Sequence, residues 1–181
     1  SVGKPVMRKP NGGLGMTTSA PARGVVFIHS SPRAMCQPLE WVLSRLLGTT
    51  VRLDWVEQPV APGTLRSELS WAGRVGLGAD IVSTMRGYPH VRFEVTEEPT
   101  SCSNGQRFVS TPSLGLWTSP MGTFGETFVS EERLRAAVAD AAAHGKSVMQ
   151  AVEDVLGTPW DRELEPFRYA GDGVPVRWLH Q

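Results

Sequence analysis

Two hydrophobic periodicities alternate along residues 24–98, and their order is the strongest constraint on the fold. Four short segments are predicted to be strands, because they are either apolar throughout or alternate between apolar and polar residues. Two other segments repeat apolar residues every three or four positions, which is typical of an amphipathic helix. The predicted strands are 24–30, 51–57, 65–71 and 91–97, and the predicted helices lie around 39–47 and 75–85.

The resulting order is strand, helix, strand, strand, helix, strand. Right-handed crossovers fold this order into a four-stranded antiparallel sheet with both helices on one face, which is the ferredoxin-like arrangement. The sequence therefore predicts an α+β protein with a ferredoxin-like βαββαβ unit over residues 24–98. Pro38 is expected near the first turn of the first helix, where proline is tolerated, and Gly48 is expected just after its end.

Less regular sequence flanks this unit on both sides. Residues 1–23 are rich in proline and glycine, have almost no apolar periodicity, and are predicted to be a flexible arm. Residues 99–181 are predicted to form a small β extension, two helices and an irregular C-terminal tail, in one compact domain with residues 24–98. Ser130 is the expected N-cap of the first of these helices, because two glutamates follow it.

Charge and composition exclude several classes of function. Eighteen Lys and Arg residues balance eighteen Asp and Glu residues, so no basic excess points to a nucleic-acid partner. No apolar run has the length that a membrane-spanning helix needs. The two cysteines, Cys36 and Cys102, lie far apart in the sequence, which fits reduced thiols in the cytoplasm. We expect a cytoplasmic protein that binds neither nucleic acid nor a membrane.

The sequence lacks the common catalytic and cofactor motifs. It contains no P-loop, nucleophile elbow, dinucleotide fingerprint or HExxH motif, and its four histidines are scattered. Three acidic residues, Asp161, Glu163 and Glu165, cluster near the C-terminus, where acid–base chemistry would need paired carboxyl groups. We expect no catalytic residue, no metal and no cofactor. An uncharacterised enzyme that uses these acids or the Cys36 thiol is the alternative.

The segment predicted as a loop after the first strand is the candidate ligand site. It contains Ser30, Ser31 and Arg33 directly before the first helix, and helix N-termini favour anions. These residues indicate a site for a phosphate or carboxylate, although the serines are equally typical of a helix cap or a turn. A small-molecule sensor of an anionic ligand is therefore an alternative function.

Charged residues of both signs are predicted to share the sheet face that carries no helix. They are Arg52, Asp54, Arg66, Glu68, Arg92 and Glu94. Opposite charges pair across neighbouring strands, so this face is either hydrated or covered by residues 99–181. We favour a cover with charges paired across the contact, because residues 99–181 need a surface on which to pack.

Aromatic residues outside the predicted core are the candidate protein-binding residues. Aromatic anchors are enriched in protein interfaces, and they can equally fix the C-terminal segment to the domain. The candidates are Trp41, Trp117, Trp160, Phe167, Tyr169 and Trp178.

Four long segments of the sequence resemble a known family. They are LDWVEQPVAPGTLRSELSW, RFEVTEEPT, LGTPWDRELEPFRYAGDG and PVRWLHQ. The chain is similar, over roughly residues 23–181, to the actinobacterial proteins grouped as domain of unknown function 3145. That family has no assigned catalytic residues, and its genes tend to lie near type II fatty-acid synthesis genes. The resemblance implies a cytoplasmic protein connected with fatty-acid or acyl-CoA metabolism.

The expected function is a non-catalytic accessory or regulatory subunit that binds a larger protein assembly. The missing catalytic motifs and the aromatic residues outside the core favour protein binding. The resemblance points to an acyl-CoA carboxylase or a fatty-acid synthesis complex as the assembly.

Overall fold

A six-stranded antiparallel sheet and five helices make up residues 20–170, the part of the chain that the computed structural model describes. The predicted α+β class is therefore confirmed. The strands are β1 (Ala22–Pro32), β2 (Val56–Glu57), β3 (Thr64–Gly73), β4 (Arg92–Glu97), β5 (Gly105–Thr111) and β6 (Gly115–Met121). The helices are α1 (Arg33–Leu47), α2 (Leu77–Met85), α3 (Glu131–His144), α4 (Val148–Leu156) and α5 (Thr158–Tyr169).

The order of strands across the sheet is β2-β3-β1-β4-β5-β6, and each neighbouring pair is antiparallel. The predicted β extension continues this same sheet, because β5 pairs with β4 and β6 pairs with β5. The sheet is therefore larger than that of a simple βαββαβ unit.

The main core lies between one face of the sheet and the helices α1 and α2. Each fully buried aliphatic or aromatic side chain there contributes about 1.5–3 kcal/mol relative to an exposed one. The central strands β1 and β4 and the two helices supply Val26, Ile28, Leu39, Leu43, Ile81, Met85, Phe93 and Val95, all of them buried.

The first strand and the first helix are both longer than predicted. β1 runs through Pro32 and α1 begins at Arg33, so the predicted loop between them is absent. Pro38 consequently lies inside α1, beyond its first turn, where it removes one backbone hydrogen bond. Burial outweighs this loss, because Cys36 is buried in the added turn and Met35 packs against the core.

Most of the predicted strand at residues 51–57 is not paired. Only its last two residues pair with β3. Val51 and Leu53 are nevertheless buried, and side chains of α1 replace the missing strand. The Ser44 hydroxyl accepts a hydrogen bond from the Val51 amide (2.8 Å), and the Glu40 carboxylate accepts one from the Leu53 amide (2.9 Å). The alternation of apolar and polar residues in this segment correctly predicted the burial of Val51 and Leu53, but it wrongly predicted backbone pairing along the whole segment.

The C-terminal segment predicted to be irregular forms α5 up to Tyr169. Pro159 lies in its first turn, where proline is tolerated, and Pro166 lies inside the helix near its end. Trp160, Leu164 and Phe167 follow the spacing of one helical face, and the latter two are buried. The sequence pattern does not predict this helix, because charged residues surround its short apolar stripe.

The helices α3 and α4 form a hairpin. α3 begins as predicted, since the Ser130 hydroxyl accepts a hydrogen bond from the Arg133 amide (3.2 Å). Gly145 ends α3 and Gly157 ends α4, both in the left-handed conformation. α3 packs against α4, and α4 packs against α5.

The two edges of the sheet differ. At one edge β2 pairs only with Leu65 and Arg66 of β3, so residues 67–73 of β3 have no strand neighbour on that side of the described sheet. At the other edge, the Pro120 carbonyl of β6 accepts a hydrogen bond from the Phe128 amide (3.0 Å), and the Thr118 carbonyl accepts one from the Arg133 guanidinium (2.8 Å). Pro120 itself offers no N–H group.

The predicted arm is described only from residue 20 onward. Ala22 and Arg23 are the first residues of β1, and Ala22 is completely buried, so the first strand begins two residues before the predicted boundary. Residues 1–19 and the predicted partner-binding Trp178 lie outside the described residues. No helix within residues 20–170 is long and apolar enough to cross a membrane.

Candidate functional site

α5 lies on the sheet face opposite α1 and α2. Its Leu164 packs against Val109 of β5 and Trp117 of β6, and Trp160 adds to this second small core. The indole N–H of Trp117 donates to the Val155 carbonyl (3.0 Å), and that of Trp160 donates to the carbonyl of Gly115, the first residue of β6 (3.0 Å). These two tryptophans fix the C-terminal helices to the sheet.

A buried cluster of charged side chains surrounds Glu94 beneath α5. Glu94 on β4 is 0 % exposed. Its Oε2 accepts a hydrogen bond from Nε2 of His29 (2.6 Å), and its Oε1 accepts from Arg107 (3.0 Å) and Arg168 (2.6 Å). Asp161 of α5 accepts from the same two arginines at 2.8 Å. Two carboxylates and two guanidinium groups thus balance each other, with His29 bound beside them.

The surroundings of Glu94 keep it ionised. Burial raises the pKa of its carboxyl, but the hydrogen bond and charge of His29 and the charge of Arg168 outweigh burial and hold that pKa well below its usual range. Burial also lowers the pKa of Arg168, and the neighbouring Glu94 carboxylate outweighs that effect and raises it. Each charged group is therefore stabilised in its charged form by its partner.

Glu163 forms a second bridge between α5 and the sheet. Its carboxylate accepts hydrogen bonds from Arg92 (3.1 Å), Thr111 (3.0 Å) and Ser113. The Arg92 guanidinium lies 4.8 Å from the centre of the Phe167 ring. The acids of α5 therefore hold this helix against the sheet. The predicted cover of the charged face, with charges paired across the contact, is confirmed for this part of it.

His29 lies at a bulge in the central strand. The register of β1 with both β3 and β4 shifts directly after Ile28. The buried Gln58 amide donates to the His29 carbonyl (2.7 Å) and to the Phe167 carbonyl (3.4 Å). Gln58 therefore joins the bulge to α5. Bulges often change the direction of a side chain next to a binding site.

A cavity of about 200 Å³ lies between β1, the β2–β3 edge of the sheet and the end of α5. The rings of Phe27 and His29 stack along it, with 6.2 Å between their centres. The Nε atom of Arg66 is buried and finds no acceptor within residues 20–170. Asp54 and Glu68 line the same cavity, and neither forms a salt bridge in the described part of the chain. The cavity therefore presents one cation and two anions that have no partner of opposite charge there.

The predicted anion site has a different environment. Ser30 and Ser31 are completely buried in β1, and the Ser30 hydroxyl accepts a hydrogen bond from Arg92 (3.4 Å). Arg33 is exposed at the start of α1 and pairs with Glu57. The structure does not bring the two hydroxyls and the Arg33 guanidinium to one surface, and anion binding by these residues stays a prediction.

The Cys36 thiol and the third acid of the C-terminal cluster also differ in their surroundings. Cys36 is buried in α1, and burial raises the pKa of its thiol more than the hydrogen bond with Ser31 lowers it. A thiol with a raised pKa is a poor nucleophile at neutral pH. Glu165 is exposed on α5. Among residues 20–170, no group of His, Cys, Asp and Glu side chains is arranged to hold a metal ion.

The α3–α4 hairpin exposes several large apolar side chains. Of the residues in these two helices, only Ala141 and Ala151 are buried. We call the exposed set the hairpin surface; it consists of Leu134, Val138, Val148, Met149 and Leu156. Met149, the most open of them, is 69 % exposed.

The predicted partner-binding aromatic residues divide into two groups. Trp41 on α1 is 62 % exposed, and Tyr169 at the end of α5 is 63 % exposed. Trp117 and Phe167 are buried, and Trp160 is partly buried in the cluster that contains Trp117. These three serve the alternative role, since they attach the C-terminal helices to the sheet.

The pairing of His29 with Glu94 is absent from the sequence-based prediction. The alternation in β4 correctly placed Glu94 on the face opposite α1 and α2. The other indication in the sequence is His29 itself, a histidine within a predicted strand that is otherwise mostly apolar. Glu94 is the cross-strand partner of Phe27, and His29 lies two residues further along β1, so strand pairing between distant segments brings the two side chains together.

Comparison with protein families matches residues 25–181 to a family model described as "Protein of unknown function (DUF3145)". No curated protein and no solved structure matches the chain.

Proposed function

The chain belongs to the DUF3145 family, and from this premise we propose that it is a non-catalytic accessory subunit that binds another protein through the hairpin surface. The observation that supports the proposal is the exposure of aliphatic and methionine side chains along α3 and α4. Apolar side chains exposed together are typical of protein-interaction sites. α4 of the hairpin packs against α5, and the side chains of the hairpin surface remain accessible to a partner.

The charges around the hairpin surface indicate the chemistry of the partner. Glu131 pairs with Arg135 along α3 (2.5 Å), and Glu153 of α4 pairs with Arg162 of α5 (3.0 Å). These charges have partners within the chain, whereas the exposed Glu132, Lys146 and Asp154 form no salt bridge in the described chain. The exposed aliphatic side chains favour an apolar contact, and we propose the aliphatic face of an amphipathic helix in the partner subunit.

The partner that we propose is a subunit of an acyl-CoA carboxylase or of a fatty-acid synthesis complex. The gene neighbourhood implied by the family resemblance supports this choice. Covering the exposed half of one Val, Leu or Met side chain contributes about 1 kcal/mol. The five residues of the hairpin surface together contribute about 5 kcal/mol, which is close to the lower end of what association costs, so further contacts of the partner have to add to them.

Purified full-length chain mixed with each purified carboxylase or synthase subunit tests the proposal by size-exclusion chromatography with light scattering. We expect a complex with one of these subunits. Met149→Glu places a charge in the hairpin surface and is expected to weaken that complex at least tenfold. Leu114→Glu is the matched control, because Leu114 is 40 % exposed in the β5–β6 turn, outside the hairpin.

Three outcomes contradict this function. The first is that the chain forms no complex with any of the subunits. The second is that Met149→Glu binds as tightly as the wild type. The third is that the wild-type chain self-associates and Met149→Glu abolishes this self-association, which would make a second copy the occupant of the hairpin surface.

We also propose that β1, α1, β2, β3, α2 and β4 form a ferredoxin-like unit to which β5, β6 and the last three helices are added. The order β2-β3-β1-β4 and its antiparallel pairing support this assignment. A crystal structure tests it: the assignment fails if α1 and α2 are found on opposite faces of the sheet.

A further inference from the structure

The cavity beside His29 contains a buried donor without an acceptor. Within residues 20–170 the Nε–H of Arg66 has no partner, and no salt bridge neutralises its guanidinium. Buried donors are satisfied in nearly all folded proteins, because an unmet one is destabilising. A carboxylate is the acceptor that a guanidinium binds best.

Acidic side chains lie close to this donor. Glu68 is two residues from Arg66 on β3, so both point to the same face, about 7 Å apart along the strand. Asp54 lines the same cavity. A ligand that places a carboxylate on Arg66 and a cation on Glu68 or Asp54 would neutralise groups that the described chain leaves unpaired.

The remaining walls of the cavity are partly apolar, and Ser67 and Arg168 also line it. Phe27, Val56 and Phe167 line it, and the hydrogen bond to Glu94 holds the His29 ring in place. The Nδ1 atom of His29 makes no hydrogen bond to the described residues, so it is the ring atom left for a ligand. The apolar walls suit an uncharged side chain of the ligand.

The volume of the cavity suits a small ligand. About 200 Å³ equals the space of roughly seven water molecules in the liquid. A free amino acid of moderate size fits this space.

We propose that this cavity binds a free α-amino acid with an apolar side chain. Its carboxylate pairs with Arg66, its ammonium group pairs with Glu68 or Asp54, and its side chain lies against Phe27 and Phe167. The site is separate from the hairpin surface and does not depend on the proposed function.

Titration of the full-length chain with L-leucine, L-valine and L-methionine, each to millimolar concentration, tests the proposal. Calorimetry gives the affinity, and amide chemical shifts in NMR spectra locate the ligand. We expect at least one of the three to bind and to shift the amides of β1 and β3. Isoamylamine and 4-methylpentanoate, which lack the carboxylate and the ammonium group of leucine, are expected to bind at least tenfold more weakly.

Two variants and a control test which charged side chains of the cavity bind the ligand. Arg66→Gln and Glu68→Gln are each expected to weaken binding at least tenfold. Glu68→Gln also serves if Arg66→Gln does not fold, because the Glu68 side chain is exposed and forms no salt bridge in the described chain. Arg45→Gln, on the exposed side of α1, is expected to leave the affinity unchanged.

The proposal is overturned if none of the three amino acids binds the wild-type chain. It is also overturned if 4-methylpentanoate binds as tightly as L-leucine, or if folded Arg66→Gln and Glu68→Gln both retain the wild-type affinity.

Discussion

The buried carboxylate of Glu94 and the imidazole of His29 are joined by a 2.6 Å hydrogen bond between two neighbouring strands. Arg107 of β5 and Arg168 of α5 bind the same carboxylate. Glu94 therefore connects β1, β4, β5 and α5 through one side chain. Buried polar groups that are fully paired stabilise a structure, and breaking such a group from one side is costly.

Replacing Glu94 by Gln removes the charge and keeps the size of the side chain. The two guanidinium groups would then share Asp161 as their remaining carboxylate. We expect the free energy of unfolding to fall by about 3 kcal/mol or more, because buried charges lose their partner. Urea unfolding followed by circular dichroism measures the change.

Glu57→Gln is the matched control for this substitution. Glu57 also pairs with an arginine, Arg33, but both side chains are largely exposed. Exposed pairs contribute about 1 kcal/mol or less. If Glu57→Gln and Glu94→Gln lower the free energy of unfolding by the same amount, the buried cluster does not stabilise the fold more than an exposed pair does.

The dependence of stability on pH also reports on Glu94. Its pKa is lower in the folded chain than in the unfolded chain. The stability that this carboxylate contributes is therefore fully present above its unfolded pKa, about 4.3. It is lost as the pH falls below that value, because the unfolded chain then binds more protons.

We expect the free energy of unfolding of the wild type to fall below about pH 4.5 with a slope up to about 1.4 kcal/mol per pH unit steeper than that of Glu94→Gln. Urea unfolding between about pH 3 and pH 6 gives both slopes. Parallel curves would mean that the pKa of Glu94 is the same in the folded and unfolded chains.

Two glycines that end helices provide a test of the contact between Trp117 and the end of α4. Gly145 and Gly157 both have a positive φ, 66° and 78°, which costs an alanine about 1–2 kcal/mol. A Cβ atom at Gly157 would lie 2.7 Å from the Trp117 ring, whereas one at Gly145 meets nothing within 4 Å. Gly157→Ala is expected to cost about 1–3 kcal/mol more than Gly145→Ala.

Urea unfolding of the two alanine variants measures this difference. Gly145→Ala carries the backbone strain without the contact, so it is the control. The same loss in both variants would mean that Trp117 moves aside without cost.

The two thiols are expected to react at different rates. Cys102 is exposed, while Cys36 is buried with a raised pKa. A colorimetric thiol reagent at neutral pH should modify Cys102 rapidly and Cys36 only after unfolding in urea. In Cys102→Ser the rapid phase should disappear, and a rapid phase that persists there would place a reactive thiolate at Cys36.

Local patterns predicted the elements whose burial follows a regular period. The alternation in β3 and β4 and the apolar faces of α1 and α2 are examples, as is the Ser130 cap. The patterns failed where a side chain replaced a backbone partner. Val51 and Leu53 alternate like a strand, but Ser44 and Glu40 bind their amides.

The candidate site depended on contacts that a local pattern does not contain. Glu94 was placed on the correct face, but its partners come from β1, β5 and α5, up to 74 positions away in the sequence. Pro159, Pro166 and several charges concealed α5, whose helical face holds three apolar residues. The cavity beside His29 likewise joins residues from β1, β3 and α5 that are far apart in the sequence.

The edges of the sheet have a consequence for how this protein associates. β2 presents only two residues, and the outer carbonyls of Thr118 and Pro120 in β6 are already bonded to Arg133 and Phe128. A foreign strand therefore meets bonded carbonyls at β6, whereas residues 67–73 of β3 have no strand neighbour on their outer side within the described sheet. Any association by strand addition is therefore directed to the β3 side of the sheet and away from β6.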